Sequence, residues 1–303
     1  MSKVIGIGAC VMDTLITVPH YPTEDTKLRA TSLKLSGGGP VSTGLVAVSK
    51  LGESAEFIGV LSDDNAGDFL RKDFAKYGVY TDNCITKSGY RSFTSTIWLS
   101  QAEKSRTCVF DKGDLPPFEL NILHEQAIKN AEIFMVDGNE MSAAIKGAQI
   151  AKANGVKVLY DAGGLYDGVE KLLPYADYLI PSMEFALGHT GENTVEAAAK
   201  KLYDMYAPQV VVITCGKDGG YHFDGKEGTY YPVYLVNVLD SNGSGDVFHG
   251  AFAAGLCKGY DTLKCCYFSS AVSALKCTGV GARESVPDFD TVAKFLKENG
   301  YEL

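Results

Sequence analysis

The sequence predicts an α/β fold in which an open, mostly parallel central sheet is flanked by helices and carries a small inserted β-lid. Short apolar runs alternate with helical patterns over most of the 303 residues, and such unbroken runs are typical of strands buried on both faces. Residues 11–35 and 88–111 interrupt this alternation with strand-forming residues in polar-alternating patterns. We therefore expect a main domain of residues 1–10, 36–87 and 112–303, and a β-lid formed by the two interrupting segments.

The elements of the main domain follow in chain order. Buried strands are predicted at 4–8, 56–61, 133–137, 156–161, 178–180 and 210–214, and helices at 40–51, 65–77, 141–154 and 194–206. Beyond Gly219, the pair Asp224-Gly225 lies between two strand-like runs and predicts a β-hairpin. The pattern is then helical to residue 303. This order is typical of βαβ units around a parallel sheet.

Composition argues against several classes of partner. The chain has 28 Lys plus Arg against 37 Asp plus Glu, a net charge of −9, which gives no general electrostatic reason to bind nucleic acid or an anionic membrane. An apolar run of about 18 residues, long enough to span a bilayer, does not occur. The eight cysteines lack Cys-x-x-Cys spacing and are typical of reduced core residues. We expect a cytoplasmic protein without nucleic-acid or membrane partners.

The most informative local pattern is a glycine turn directly before an apolar helix. It reads Asp240-Ser241-Asn242-Gly243-Ser244-Gly245-Asp246 and continues into Val247-Phe248-His249-Gly250. Glycines let backbone amides point inward together, and the start of a helix attracts anions, so this turn is suited to bind a phosphate. Asp246 could act as a base beside that anion or simply cap the helix. Asp240 could hold a cation or close the loop.

A second glycine cluster, Ser36-Gly37-Gly38-Gly39-Pro40, opens the first long helix. It would let a ligand approach the backbone closely, or it could serve as a flexible joint between lid and main domain. Asp13 follows the first strand, at the sheet end where open α/β folds bind ligands. Its carboxylate is suited to accept hydrogen bonds from sugar hydroxyls, although an ordinary turn residue would fit there as well.

Two nucleotide-binding motifs are absent or incomplete. Gly216-Lys217 is followed by Asp218 and lacks a leading glycine, which excludes a Walker-type site. Gly6-Ile7-Gly8 follows a strand, but Val11 stands at the third glycine position of the dinucleotide fingerprint. A nicotinamide oxidoreductase would need that glycine, so this class is a weak alternative. A non-catalytic sugar-binding regulator is another alternative, which the presence of Asp246 disfavours.

Four ordered elements give the chain a clear resemblance. The glycine cluster at 36–40, the loop Thr-Cys-Gly-Lys-Asp-Gly-Gly at 214–220, the turn at 240–246 and the segment at 278–287 resemble those of the ribokinase or PfkB family of carbohydrate kinases. The similarity covers essentially the whole chain. It implies a ribokinase-like fold and phosphorylation of a sugar hydroxyl, on a ketose or related carbohydrate, with ATP, Mg²⁺ and K⁺.

The resemblance also implies roles for individual residues. Asp246 would be the catalytic base, and Gly243, Ser244 and Gly245 the anion hole. The sugar would be bound by Asp13, Gly38 and Gly39. ATP would contact Thr214, Gly216, Gly219 and Gly281. The expected K⁺ site comprises Asp240, Asn242, Gly279, Gly281 and Ser285, largely through backbone oxygens.

Within the family the chain looks most similar to sulfofructose kinase-like members. It shares their Gly-Gly-Gly-Pro element, the run Ala-Leu-Lys-Cys-Thr at 274–278 and a lid lysine, Lys27. The arginine that such enzymes use for the sulfonate is Asn139 here, and their lid asparagine aligns with Phe110 or Asp111. A buried sulfonate needs cationic partners. We therefore expect a neutral sugar, with Lys27 and Asn139 as further substrate-binding candidates.

Other departures leave alternatives open. The family's asparagine in the first long helix is Ser42 or Thr43, and its Mg²⁺-organising Asn-x-x-Glu reads Ser182-Met183-Glu184-Phe185. A nucleoside kinase of the same fold is the main alternative, with Trp98 or Phe110 as a platform for a base. Exposed lid strands also predict a homodimer that covers their edges.

Overall fold

The computed structural model describes residues 2–302 and confirms the predicted α/β class. In spatial order, the eight strands of the main sheet are β14 (Gly228–Tyr231), β13 (Gly220–Phe223), β12 (Val210–Thr214), β11 (Tyr178–Pro181), β10 (Lys157–Ala162), β9 (Ile133–Val136), β1 (Val4–Ile7) and β4 (Ala55–Phe57). Neighbouring strands are parallel from β4 to β12, whereas β12, β13 and β14 form antiparallel pairs.

Helices cover both faces of this sheet because successive strand side chains point to opposite sides. Ile5 and Phe134 belong to one core, whereas Val4 and Met135 belong to the other. The first core packs against α3 (Ile122–Lys129), α4 (Met141–Ala153), α5 (Val169–Leu172), α6 (Met183–Thr190) and α7 (Val195–Tyr206). The second packs against α1 (Pro40–Lys50), α2 (Asn65–Lys76), α8 (Ser244–Cys257) and α9 (Thr262–Lys276), with α10 (Phe289–Glu298) outside them.

A separate four-stranded sheet is built from the two segments predicted to form the lid. Its order is β3 (Ser32–Gly38), β2 (Val11–Val18), β7 (Thr94–Ser100) and β8 (Ser105–Asp111). Asp13 on β2 pairs with Ser36 on one side and with Ser95 on the other, so these three side chains share a face. Strand β3 runs on to Gly38, three residues beyond the expected lid boundary. The domain boundaries themselves stay a prediction.

One predicted strand is wrong in its extent. The apolar run 56–61 was expected to form a single strand, but the chain leaves the main sheet at Gly59. The second half becomes β5 (Val60–Ser62), which pairs with β6 (Ile85–Lys87) in a small sheet of its own. Both halves are buried, so their hydrophobic pattern is continuous across the break. The hairpin predicted at Asp224-Gly225 is confirmed by the pairing of β13 with β14.

Within residues 2–302, none of the helices combines the length and the apolar character needed to cross a membrane.

Helices α1 and α8 lie unusually close together, and glycines make this possible. A Cβ on Gly250 of α8 would overlap the backbone carbonyl of Gly44 on α1. A Cβ on Gly44 would meet the Met135 side chain at 2.9 Å and the Asp246 carbonyl at 3.3 Å. This contact aligns the N-terminal ends of both helices at the same edge of the sheet.

We expect Gly250→Ala to destabilise the fold by about 2 kcal/mol or more, because the added methyl group meets rigid backbone. Urea denaturation measures the change in free energy of unfolding. Gly245→Ala is the matched control in the same helix, since a Cβ there meets nothing within 4 Å. Equal stability of the two variants would contradict the proposed role of the close helix contact.

Candidate functional site

The glycine turn and helix α8 present backbone amides and one free carboxylate. Gly243 is the N-cap residue with φ 74°, and a Cβ there would lie 2.7 Å from that of Ala282, so glycine is required. The amide of Ser244 donates to the Ser241 carbonyl at 3.2 Å. Those of Gly245 and Asp246 have no acceptor within the helix, as at any helix start. No hydrogen bond between described residues engages the Asp246 carboxylate, which does not support the helix-cap interpretation.

Three acidic side chains converge near this turn. Asp137, buried at the end of β9, accepts from the amides of Ala9, Val41 and Asn139 and from the Asn139 side chain. Burial raises the pKa of Asp137 in spite of these donors. Burial likewise raises the pKa of Asp161, to about 7, and that of Asp246. The Asp137 charge contributes to the rise at Asp246, so the carboxyl groups disfavour one another's ionisation.

His249 compensates part of this negative charge. Its Nδ1 lies 2.6 Å from the Gly245 carbonyl oxygen and 3.2 Å from Asp161 Oδ2, and its Nε2 lies 2.9 Å from the Ile180 carbonyl oxygen. Carbonyl oxygens only accept, so a ring protonated on both nitrogens satisfies both contacts. The positive ring lowers the pKa values of Asp161 and Asp246 against the effect of burial.

The expected sugar-binding residues lie together on the lid side of the site. Asp13 is buried, and Ser95 Oγ donates to its carboxylate at 2.6 Å. Burial raises the pKa of Asp13 to about 6, and the Asp246 charge adds to this rise. A Cβ on Gly38 would overlap the Asp13 carboxylate, and a Cβ on Gly39, which has φ 96°, would overlap the Ala9 carbonyl. Both positions therefore require glycine.

A cleft of about 750 Å³ joins the predicted nucleotide residues to the glycine turn. Its lining includes Thr214, Gly216, Gly219 and 241–246. A volume of this size is ordinary for a small-molecule site. Arg106 reaches the same cleft from lid strand β8, a contribution that local sequence did not indicate. Its charge lowers the pKa of Asp246.

The residues expected to hold K⁺ also lie together, but the oxygens of Asp240, Asn242 and Gly281 are already engaged. The Asp240 carboxylate accepts from the amides of Asn242 at 2.8 Å and of Gly281 at 2.9 Å. Ser285 Oγ donates to the Gly281 carbonyl at 3.3 Å, and a Cβ on Gly279 would lie 2.6 Å from that of Ser285. The carbonyls of Asp240 and Asn242 accept from Lys276 Nζ. This arrangement does not fit K⁺ at those two oxygens.

A buried arginine connects the two ends of the site. Arg283 has no exposed surface, and its guanidinium donates to Asp73 at 2.6 Å and to the Gly38 carbonyl at 2.8 Å. It also stacks over the Phe74 ring, 5.0 Å from its centroid. The segment that follows α9 is thereby fixed to the glycine cluster at 36–40.

Three further sequence candidates offer no free side-chain group to this centre. Lys27 is exposed in the loop between β2 and β3, and its ammonium makes no hydrogen bond or ion pair with residues 2–302. Asn139 lies at the site, but its side-chain amide donates to Asp137 rather than pointing at a ligand. Glu184, considered for Mg²⁺, is exposed on α6 and does not line the cleft.

Comparison with known proteins decides the family. Residues 1–288 match the family described as "pfkB family carbohydrate kinase". The chain belongs to the pfkB family. It is 26% identical to 5-dehydro-2-deoxygluconokinase of Clostridium perfringens, over 99% of this chain and 94% of that protein. It is 24% identical to ribokinase of Bacillus subtilis, over 98% of this chain and 100% of that protein.

Solved structures show the same fold. The structure of Arabidopsis thaliana ribokinase complexed with ribose and ATP superposes with a TM-score of 0.85 at 23% identity, covering 98% of this chain and 99% of that one. A putative ribokinase from Agrobacterium tumefaciens gives a TM-score of 0.91 at 24% identity, covering 98% of both chains. The prediction of an ATP-dependent carbohydrate kinase is confirmed by these relatives, and the nucleoside kinase and oxidoreductase alternatives are not favoured.

The environment of Asp246 in this pfkB kinase predicts a specific pH dependence. The role of base expected for Asp246 requires an ionised carboxyl group, and burial raises the pKa of Asp246. We expect kcat/KM to fall on the acid side with an apparent pKa above the ordinary aspartate value of about 3.9. His249→Gln should move this acid-side fall in kcat/KM to still higher pH, because the positive ring lowers the pKa of Asp246. An acid-side fall with the ordinary aspartate pKa would contradict the expected pH dependence. A fall that His249→Gln leaves at the same pH would also contradict it.

Proposed function

We propose that this kinase transfers the γ-phosphoryl group of ATP to a hydroxyl of a neutral sugar held at Asp13, with Asp246 as the base. The observation that carries the proposal is the Asp246 carboxylate, which is free of hydrogen bonds from described residues and lines the nucleotide cleft at the start of α8. Asp13 and the glycine cluster stand at the adjoining start of α1. A base is thus available between a phosphate site and a hydroxyl site.

The chemistry follows from this arrangement. Asp246 takes the proton of the sugar hydroxyl as that oxygen bonds to the γ-phosphorus and the bond from phosphorus to the β–γ bridging oxygen breaks. The amides of Gly245 and Asp246, which have no acceptor within the helix, and the positive end of α8 stabilise the negative charge on the migrating group. The carboxylate of Asp13 accepts from neighbouring sugar hydroxyls and orients them.

The expected cofactors differ in how well the residues fit them. Among residues 2–302, no cluster of three or more His, Cys, Asp or Glu side chains could hold a metal. Mg²⁺ commonly retains several waters and binds through substrate phosphates, so we propose that it enters with ATP and neutralises phosphate charge there. K⁺ is not part of the proposal, because Lys276 engages the carbonyl oxygens expected to bind it.

The acceptor is proposed to be neutral because cationic partners are scarce beside Asn139. A cavity of about 180 Å³ at this position is lined by Gly8, Cys10, Lys112, Asn139 and Glu140, among others. The charges of Lys112 and Glu140 offset each other, and the Asn139 amide is occupied by Asp137. A desolvated sulfonate would lack the charge-assisted partners it needs.

We expect Asp246→Asn to lower kcat by at least ~10²-fold while ADP binding and thermal stability persist, because only proton abstraction is lost. Coupled ADP release measures turnover, and isothermal titration measures ADP affinity. Parent-like turnover would contradict the assigned base. Lost stability without a kinetic defect would favour the helix cap instead.

The same assay identifies the acceptor. We expect the parent to give a higher kcat/KM for fructose, tagatose or psicose than for 6-deoxy-6-sulfofructose, and Asn139→Arg to shift the preference towards the sulfonated sugar. A tenfold preference of the parent for the sulfonated sugar would contradict the neutral acceptor and favour a sulfofructose kinase.

A second copy of the chain is proposed to cover the outer face of the lid. Leu33 and Val109, on the face away from Asp13, are 66% and 68% exposed, and a second copy packed on this face would cover them. Sedimentation velocity should show a dimer for the parent and a monomer for the double variant Leu33→Lys with Val109→Lys. A monomeric parent would contradict the homodimer.

A further inference from the structure

One lysine is buried directly beneath the phosphate-binding turn. Lys276, the last residue of α9, has no exposed surface and is the one lysine among residues 2–302 with a buried side chain. Its Nζ donates to the Asp240 carbonyl at 2.9 Å and also to the Asn242 carbonyl. These two residues flank Ser241 at the start of the turn that leads into α8. A positive charge of the chain itself therefore lies under this turn.

The ammonium and the Asp240 carboxylate bind backbone groups of the same loop. The ammonium binds two carbonyl oxygens, and the carboxylate accepts from the amides of Asn242 and Gly281 at 2.8 and 2.9 Å. Burial lowers the pKa of Lys276, and the negative charge of Asp240 opposes that change. An isolated buried ammonium is costly, so its retention here requires these partners. The charge is bound where it can fix the conformation of the turn.

An ammonium group and K⁺ each carry one positive charge. They are also similar in size, and both bind carbonyl oxygens. Two of the backbone oxygens expected to bind K⁺, the carbonyls of Asp240 and Asn242, are those that Lys276 already binds. A third, the Gly281 carbonyl, accepts from Ser285 Oγ at 3.3 Å. A second cation beside the ammonium would meet repulsion between like charges at short range. The chain thus supplies internally the charge that the resemblance assigns to a dissolved ion.

We propose that the Lys276 ammonium takes the place of a monovalent cation beneath the anion hole, so that this kinase orders its phosphate-binding turn without K⁺. The inference rests on the phosphate-binding role proposed above for the turn at 243–245. A tethered cation does not dissociate, so nucleotide affinity and thermal stability become independent of the monovalent ion in solution.

The test compares KCl, NaCl and tetramethylammonium chloride at one ionic strength. Two quantities are measured for the parent protein, the ADP dissociation constant by isothermal titration and the Tm by calorimetry. We expect both to be the same in the three salts. In Lys276→Ala, the freed carbonyls should accept K⁺. ADP affinity should then be about tenfold weaker in tetramethylammonium than in KCl, and KCl should raise Tm by ~2 °C or more.

Lys264→Ala is the matched control, because it removes a lysine from the same helix that packs over the Tyr260 ring instead of binding a carbonyl. It should be indifferent to the choice of ion. A parent protein whose ADP affinity or Tm rises in KCl over tetramethylammonium would overturn the proposal. A folded Lys276→Ala that ignores K⁺ would also overturn it, since the lysine would then be structural only.

If Lys276→Ala does not fold, a crystallographic experiment on the parent protein tests the proposal instead. Parent crystals soaked in RbCl should show no anomalous scattering peak at the Asp240 and Asn242 carbonyls, and a peak there would overturn the proposal. Failure of the parent to bind ADP in any salt would contradict the proposed function instead. The Tm comparison and the Rb⁺ measurement would still decide the role of Lys276.

Discussion

The close contact between helices α1 and α8 is the constraint on which the site depends. Gly44 and Gly250 let the two backbones approach to a distance that side chains would prevent. Each helix begins in a glycine cluster, one beside Asp13 and the other beside Asp246. Because both helix starts lie at the same edge of the sheet, their unpaired amides and positive ends act on one region. A molecule that carries an acceptor hydroxyl and a molecule that donates a phosphoryl group can then bind side by side in this region.

Concentrating carboxylates in that region creates an electrostatic difficulty, which the fold relieves differently at each position. Asp137 receives four N–H donors from three segments, and Asp161 lies beside the His249 ring. Asp246 receives no hydrogen bond from the described residues, and burial raises its pKa. Asp137 is therefore held in place by its donors, whereas the Asp246 carboxylate is left available for proton transfer.

Two buried cations fix the loops around this centre. Arg283 ties the segment after α9 to Asp73 and to the Gly38 carbonyl on the sugar side. Lys276 ties the end of α9 to the turn on the phosphate side, and the Asp240 carboxylate joins that turn to Gly281. The segment between these cations contacts both halves of the site. Its conformation is thus set by charge pairing rather than by a large apolar surface.

The sequence alone determined the parallel sheet, the hairpin at Asp224-Gly225, the two glycine clusters and the acids at positions 13 and 246. These features depend on local patterns: apolar runs, turn residues, and glycines next to a helix start. The break at Gly59 escaped detection because both halves of the run are buried. Arg106, His249, Lys276 and Arg283 were not assigned roles from the sequence. Partners of Lys276 and Arg283 are distant in the chain, 36 residues between Lys276 and Asp240 and 240 between Arg283 and Thr43. A lysine in the last turn of a helix ordinarily faces solvent and interacts with the helix dipole. Only tertiary packing, which buries that turn against the 240–242 loop, converts Lys276 from a surface charge into an internal cation.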